Sequence, residues 1–538
     1  MRLLALLAAA APARAAIDRR AVVSRHDPAF SAPAAADLDL RDTFTLGNGA
    51  FAFNADVTGL QTFNASYAFG VNTLSDWQMH TTPWSAADPA FALRAYNFTY
   101  YDTPLDGRGA TRRVPYANAG ANDPAVVSWL MRNPHRQNLG QLSLRFASGG
   151  GAPTRPVPLA AVSAAAQRLA LWEGALSSNF SLADGGNSSA RATCALGDDN
   201  TVLELSCGTG GGVITGVPFA SYGLPSGSCA RGFVPAPHCA SRNASAVLAA
   251  RCVGRASCSV LVNWKAGFGD PCAGKAKALA ANVTCSAPPP PPGPPPASFP
   301  VAVRTVVDPD VDLVAVEVAC AAPPCALALR LAFAYGAPSP SGADWDAPAG
   351  AHATVVARNA SGAAQPGGRG GATFLRTLDA DAYRVDCAWD GGLELRAARD
   401  APHAFDLVAP GGALWTAARV SCLFAPAGAA GEPAYPVGAA APWLAAKARA
   451  TRALLAGAAG DLPLLPTAAA AAGAAWAAYW TGGAFLDLAS ATGAADALEL
   501  ERRVVLSRYL VRANSAGAEP PQETGLLVNS WGGKHHNE

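Results

Sequence analysis

The chain has 538 residues, half of them hydrophobic, with 40 Lys plus Arg against 39 Asp plus Glu and a formal net charge of +1. That length predicts several domains. The even charge, without a basic stripe or block, argues against nucleic acid and a polybasic membrane surface as partners.

At the start, Met1-Arg2, the apolar run Leu3 to Ala11 and the small-x-small site Ala13-Arg14-Ala15 predict a signal peptide over residues 1–15. Seven Asn-x-Ser/Thr sequons agree with export: Asn64, Asn97, Asn179, Asn187, Asn243, Asn282 and Asn359. A secreted or extracellular product is the expectation. The most apolar later run, Ala468 to Tyr479, is mostly alanine and falls short of the ~20 residues a crossing needs. No membrane span is therefore expected.

From Asp37 to Leu182 the chain reads as strands and loops. Phe51 to Val57 carries aromatic and β-branched residues after the turn-rich Leu46-Gly47-Asn48-Gly49, and Leu142 to Phe146 alternates in period two. Eight of the twelve cysteines then crowd together: Cys194, Cys207, Cys229, Cys239, Cys252, Cys258, Cys272 and Cys285. An even, dense set of this kind staples a small domain whose apolar core is thin. Spacing alone leaves on the order of a hundred pairings open. The module contains Phe268-Gly269-Asp270-Pro271-Cys272 and runs into a proline tract, Pro288 to Pro296, that reads as a linker over 287–297.

Strands resume with Val301 to Val307, the turn Asp308-Pro309-Asp310, Val311 to Ala319 and Ala326 to Tyr335. Cys320 and Cys325 flank a turn and could bridge it, and Cys387 and Cys422 remain as another possible pair. From Pro442 the texture turns helical: Trp443 to Ala456, Thr467 to Trp480 and Leu498 to Arg512. Trp476, Tyr479 and Trp480 share one helix face, best read as core packing. Strands followed by helices suggest a mainly β chain, a β-sandwich ahead of helices, rather than alternating β-α units.

The chemistry-bearing patterns are few. Gly208 to Gly212 is glycine-rich but lacks the Lys-Ser/Thr of a phosphate loop. No Gly-x-Ser-x-Gly or His-Glu-x-x-His pattern occurs, and neither a cofactor nor a metal is expected. A pyranose presents vicinal hydroxyls that donate and accept. A carboxylate accepts two such bonds, an ammonium donates several, and backbone N–H groups fix orientation. Asp270, Lys277 and the backbone near Gly274 could supply this set; the bland alternative is that Asp270-Pro271 shapes a turn and Lys277 is merely solvated.

The eight cysteines, Ser221-Tyr222-Gly223, Phe268 to Cys272 and Gly274-Lys275-Ala276-Lys277 together resemble the SUEL-type lectin domain, the rhamnose- or galactoside-binding lectin. The resemblance implies a disulfide-rich α/β lectin domain over 190–286. It implies the pairs Cys194–Cys229, Cys207–Cys285, Cys239–Cys272 and Cys252–Cys258, and a sugar site at Tyr222, Gly223, Asp270, Gly274 and Lys277. This chain departs from the family at Ala195, where a glutamate is usual, at Leu224, where an arginine is usual, and at Ala276 and Ala278, the aromatic positions flanking the lysine. Asp198 or Asp199 could stand in for the missing glutamate.

The flanks carry a second resemblance. Gly47 to Phe63, Ser75-Asp76-Trp77 with His80, Asn133-Pro134-His135-Arg136, Ser341 to Trp345 and Pro520 to Gly525 look like six-hairpin glycosidase-like proteins. Those proteins pair an N-terminal β-sandwich with an (α/α)6 barrel. This implies a sandwich in two parts, 18–186 and 298–440, interrupted at a hairpin by the lectin. Residues 441–538 would supply linker helices and the start of an incomplete barrel. Trp531 to Glu538 is similar to the opening of a Gly-Lys-x-His-x-Glu barrel motif, which makes Lys534, His536 and Glu538 weak catalytic candidates. Glu523 is another carboxylate, and His535 with His536 and Glu538 could suggest metal, although a chain end is the plainer reading. Glycoside hydrolysis needs two placed carboxylates.

The leading expectation is therefore a carbohydrate-binding protein whose partners are glycans or glycoconjugates, recognising galactoside- or rhamnose-like sugars. The alternatives are a secreted glycoside hydrolase with a truncated barrel and an adhesive protein whose lectin fold no longer binds.

Overall fold

The computed structural model describes residues 17–67, 70–84, 100–104, 109–115, 123–148, 152–184, 191–207, 212–229, 232–236, 239–241, 243–286, 298–320, 326–360, 369–427, 442–492, 494–517 and 524–529. The chain is mainly β. Its largest sheet has nine antiparallel strands in the order Ala29–Ala34, Val162–Ala170, Ala175–Ala183, Ser298–Val307, Leu313–Cys320, Ala417–Pro426, Asp381–Trp389, Gly370–Leu378 and Ala353–Ala360. A second sheet runs Arg155–Pro156, Gln141–Phe146, Leu327–Ala332, Ala404–Val408 and Glu394–Ala397. Both sheets feed one apolar core: Leu142, Leu144, Leu329 and Leu407 of the smaller sheet join Val316, Phe374, Val385 and Val420 of the larger. The rings of Phe374 and Phe405 meet at 4.9 Å across the two layers.

Period-two patterning explains how the strands of the large sheet divide between core and solvent. In Ser298–Val307, Val301 and Val303 are buried while Ala302 and Arg304 are exposed. The central strand Leu313–Cys320 is buried almost continuously, as expected where both faces are covered. Helix Leu465–Thr481 lies against this sheet. It buries Leu465, Ala468, Ala472, Trp476 and Trp480 along one stripe. Trp476 stacks on Tyr509 of helix Ala495–Asn514 at 4.6 Å. The Trp480 indole donates to the Leu171 carbonyl at 2.9 Å, and the Tyr509 hydroxyl donates to the Thr45 carbonyl at 2.9 Å. These described helices thus share the core of the sheets. Among the described residues no helix is long and apolar enough to cross a membrane.

The strands on either side of the cysteine-rich module are direct neighbours. Ala175–Ala183 pairs with Ser298–Val307 from Ala175 opposite Val306 to Ala183 opposite Ser298, with Phe180 facing Val301. Between them lies a unit with its own sheets and its own core. Arg191–Asp198, Ala278–Cys285 and Ile214–Gly223 form a three-stranded sheet in that order. Val202–Ser206 pairs with Ser257–Leu261, Ser226–Ser228 pairs with Gly232–Val234, and one helix spans Ala244–Cys252. Leu203, Leu205, Tyr222, Leu248, Val260, Phe268 and Val283 belong to a core cluster separate from that of the host. The helix touches the host at the turn Asn64–Ser66.

Disulfides join Cys194 to Cys229, Cys207 to Cys285, Cys239 to Cys272 and Cys252 to Cys258 within this unit. In the host, Cys387 is bonded to Cys422 across neighbouring strands. Cys320 is also disulfide-bonded, while Cys325 lies outside the described residues, as do residues 1–16, the proline tract and residues 530–538.

Two buried carboxylates organise the host. Asp312 is fully buried and accepts from the Lys447 ammonium, the Trp77 indole at 2.8 Å and the Asn48 amide at 3.2 Å. Helix Pro442–Ala456 is thereby pinned to a turn of the large sheet. Replacing Lys447 by methionine leaves that carboxylate buried without its cation. The expected loss is about 3–5 kcal/mol, read as a lower denaturant midpoint for the host transition; a midpoint unchanged from wild type contradicts this role.

Asp56 is also fully buried and receives hydrogen bonds from the Thr58 N–H at 2.8 Å, the Thr58 hydroxyl at 2.5 Å and the Phe63 N–H at 2.6 Å. Burial outweighs these donors and pushes its carboxyl up from 3.8 to about 6. The folded state therefore holds this proton more tightly than the unfolded one. Its contribution to stability is present below pH 3.8 and is lost as pH rises through about 6. Thermal melts of wild type and Asp56→Asn should diverge in their pH dependence across that window. Parallel curves would show that Asp56 does not titrate there.

Candidate functional site

One end of the three-stranded sheet in the insert gathers the chemistry. Gly223 lies opposite Ala278 and Tyr222 opposite Leu279. On the other side of the same strand Asp198 lies opposite Ala278, and the Asp199 N–H donates to the Lys277 carbonyl at 2.7 Å. Register alone thus brings the Tyr-Gly pair, the lysine and the Asp198-Asp199 turn to one place.

Gly223 is fixed by a close approach. Its φ is +150°, and a Cβ there would sit 1.8 Å from the Cys239 carbonyl oxygen. The backbone turns tightly around that oxygen, which accepts from the Leu224 N–H at 2.9 Å, while the Ser241 N–H donates to the Tyr222 carbonyl at 2.7 Å. Because Cys239 is bonded to Cys272, the Tyr-Gly strand end, hydrogen-bonded to the Cys239 backbone, is linked through that disulfide to the loop that carries Asp270.

The Tyr222 ring is fully buried and stacks on Phe268 at 5.0 Å. Its hydroxyl donates to Asp199 Oδ1 at 3.1 Å. Burial first, then the bond to Asp199, pushes the phenol up to about 12, so it remains a proton donor at neutral pH.

Lys277 Nζ meets Asp270 Oδ1 at 2.9 Å, with the lysine side chain only 5% exposed and the aspartate 36% exposed. The ammonium also donates to the Lys275 carbonyl at 2.9 Å. The Lys277 ammonium, before any other group, holds the Asp270 carboxyl below the usual carboxylate range. The Cys272 N–H donates to Asp270 Oδ1 at 3.2 Å. Asp270 therefore shapes its turn and also pairs with the lysine, and Lys277 is a buried, oriented cation rather than a solvated one. An ammonium has three hydrogens, and these two acceptors engage two of them. Gly274 sits in the loop between them with φ +74° and open space where a Cβ would be.

The sequence-derived site residues Tyr222, Gly223, Asp270 and Lys277 thus converge, with Gly274 on the exposed rim. Of the two candidate stand-ins for the absent glutamate, Asp199 reaches the phenol, whereas Asp198 is exposed and its carbonyl accepts from Thr201. Reading the sequence overlooked Asn263, whose amide donates to Asn200 Oδ1 beside Asp199, and Trp264, which is exposed. The signal available was a lone tryptophan four residues before Phe268. Lys534, His535, His536, Glu538 and Glu523 lie outside the described residues. Among the described residues no group of three His, Cys, Asp or Glu is placed to hold a metal ion.

The family model described as the D-galactoside/L-rhamnose binding SUEL lectin domain matches residues 205–285. The D-galactoside-specific lectin of Heliocidaris crassispina is 36% identical over 92 residues, which span 16% of this chain and 85% of that lectin. The chain belongs to the SUEL lectin family. Its SUEL domain is also 44% identical over 84 residues to Beta-galactosidase 6 of Oryza sativa subsp. japonica and 39% identical over 85 residues to Beta-galactosidase 8 of Arabidopsis thaliana. Each match covers 16% of this chain, but only 9% and 10% of those two enzymes. The matched part is the lectin region alone.

Gly223→Ala in the SUEL domain forces a methyl group into the Cys239 carbonyl. During brief exposure of the full chain to dilute dithiothreitol, which reduces opened disulfides, native-state alkylation should label Cys239 and Cys272 faster in this variant than in wild type. A variant as resistant to alkylation as wild type would show that the close approach is not required.

Proposed function

We propose that the protein is an exported carbohydrate-binding protein whose SUEL domain, residues 190–286, recognises galactoside- or rhamnose-like sugars. The observation that carries this reading is the buried Lys277 ammonium paired with the half-exposed Asp270, next to the Tyr222–Asp199 pair. Asp270 and Asp199 accept from sugar hydroxyls, Lys277 donates its remaining hydrogen, and the backbone of Gly223 and Gly274 lets the ligand approach closely. In this reading the host comprises residues 18–186 and 298–440, a sandwich of the glycosidase-like type, and the proline tract is a stiff spacer on the exit side. Residues 441–538 begin a barrel, and residues 1–15 are a cleaved leader. The disulfides suit an oxidising compartment. The similarity to the two β-galactosidases lies in the lectin region, so it supports sugar recognition and adds nothing to a hydrolase reading.

The test is binding of the full chain to an array of galactosides and rhamnosides, followed by titration. Wild type should bind, and Lys277→Ala and Asp270→Asn should each weaken binding by about ten-fold or more, while Lys275→Ala, an exposed neighbour, should not. Absence of binding by folded wild type across the array, or unchanged affinity in both site variants, overturns the reading.

A further inference from the structure

Beside the polar cluster stands one large side chain that does not belong to the core cluster of the domain. Trp264 is the single tryptophan of residues 191–286, and it is 48% exposed in a domain that buries Tyr222 and Phe268. It is held from two sides, by its own carbonyl and through the preceding Asn263. The Trp264 carbonyl accepts from the Gly269 N–H at 3.2 Å, one residue before Asp270. The preceding Asn263 donates to Asn200 next to Asp199 and accepts from the Lys265 N–H at 2.8 Å. The indole therefore projects from a fixed point between the Asp199-Asn200 turn and the Asp270 loop. The Lys265 ammonium lies 5.3 Å from its ring centroid.

A pyranoside is amphipathic. Hydroxyls ring its edge, while a ring face presents a patch of C–H groups. The Asp199, Asp270 and Lys277 set answers only the edge. A flat apolar ring at the rim buries the C–H face and removes it from water. This inference rests on the sugar-binding reading above. We propose that Trp264 is the stacking platform of that site, and that it selects cyclic sugars with a continuous C–H face, galactosides among them, over open-chain polyols bearing the same hydroxyls.

The full chain is titrated with methyl β-D-galactoside and with galactitol, comparing wild type, Trp264→Ala, Trp264→Phe and Trp264→Leu. Wild type should prefer the galactoside. Alanine should weaken galactoside binding by about ten-fold, phenylalanine should recover it to within about three-fold, and leucine, with bulk but no ring, should fall between. Galactitol affinity should be the same in all four. Galactoside should also change tryptophan emission in wild type but not in Trp264→Phe. Galactoside affinity that is unchanged in Trp264→Ala and Trp264→Leu, alongside loss in Lys277→Ala, overturns the platform and leaves the sugar site standing. Absence of galactoside binding by folded wild type overturns both.

Discussion

The antiparallel ladder between Ala175–Ala183 and Ser298–Val307 is the constraint on which the architecture depends. It holds two segments separated by more than a hundred residues at the spacing of neighbouring strands, ~5 Å. Everything between them must leave and return at one point on the sheet. A separate core and self-contained sheets allow this, because among the described residues the inserted unit draws no strand from the host and the host hydrogen bonds survive the interruption. Its apolar core is reinforced by four disulfides, the widest closing 78 residues between Cys207 and Cys285.

The same devices that hold the insert together also bring together the residues of the proposed sugar site. The strand that returns to the host, Ala278–Cys285, is central in the small sheet and pairs on both sides. Lys277 immediately precedes it, so the lysine is placed by the strand that anchors the fold. The Cys239–Cys272 bond links the Gly223 turn with the Asp270 loop. Sugar recognition asks for donors and acceptors fixed before the ligand arrives, and in the proposed site a buried ion pair and a buried phenol are held in place in that way.

Much of this was visible in the residues. Val301 to Val307 read as a strand because β-branched residues alternate there, and the helices near the C-terminus read as helices because apolar side chains recur at i, i+3 and i+4. The cysteine cluster announced a stapled module, but its pairing followed only from family resemblance, since spacing leaves too many choices. Asp198 and Asp199 could not be separated in sequence: which of them reaches Tyr222 depends on the turn that ends strand Arg191–Asp198. Lys277 carried no local sign of burial, because burial comes from packing between distant segments. The destination of the alanine-rich helices was also hidden, as an apolar stripe does not say whether a helix or a sheet will cover it. Trp264 went unremarked since a single aromatic gains meaning only when its neighbours are known.

The account's central claim is that a self-sufficient saccharide-recognising unit occupies one hairpin of the host. The most direct measurement removes residues 184–297 and joins the paired strand ends, Ala183 and Ser298, by a two-residue Asn-Gly turn, the geometry that closes adjacent antiparallel strands. The account predicts a host that still folds cooperatively, with a melting temperature within a few degrees of the parent, and that no longer binds sugar. A host that fails to fold, or one that retains sugar binding, contradicts it.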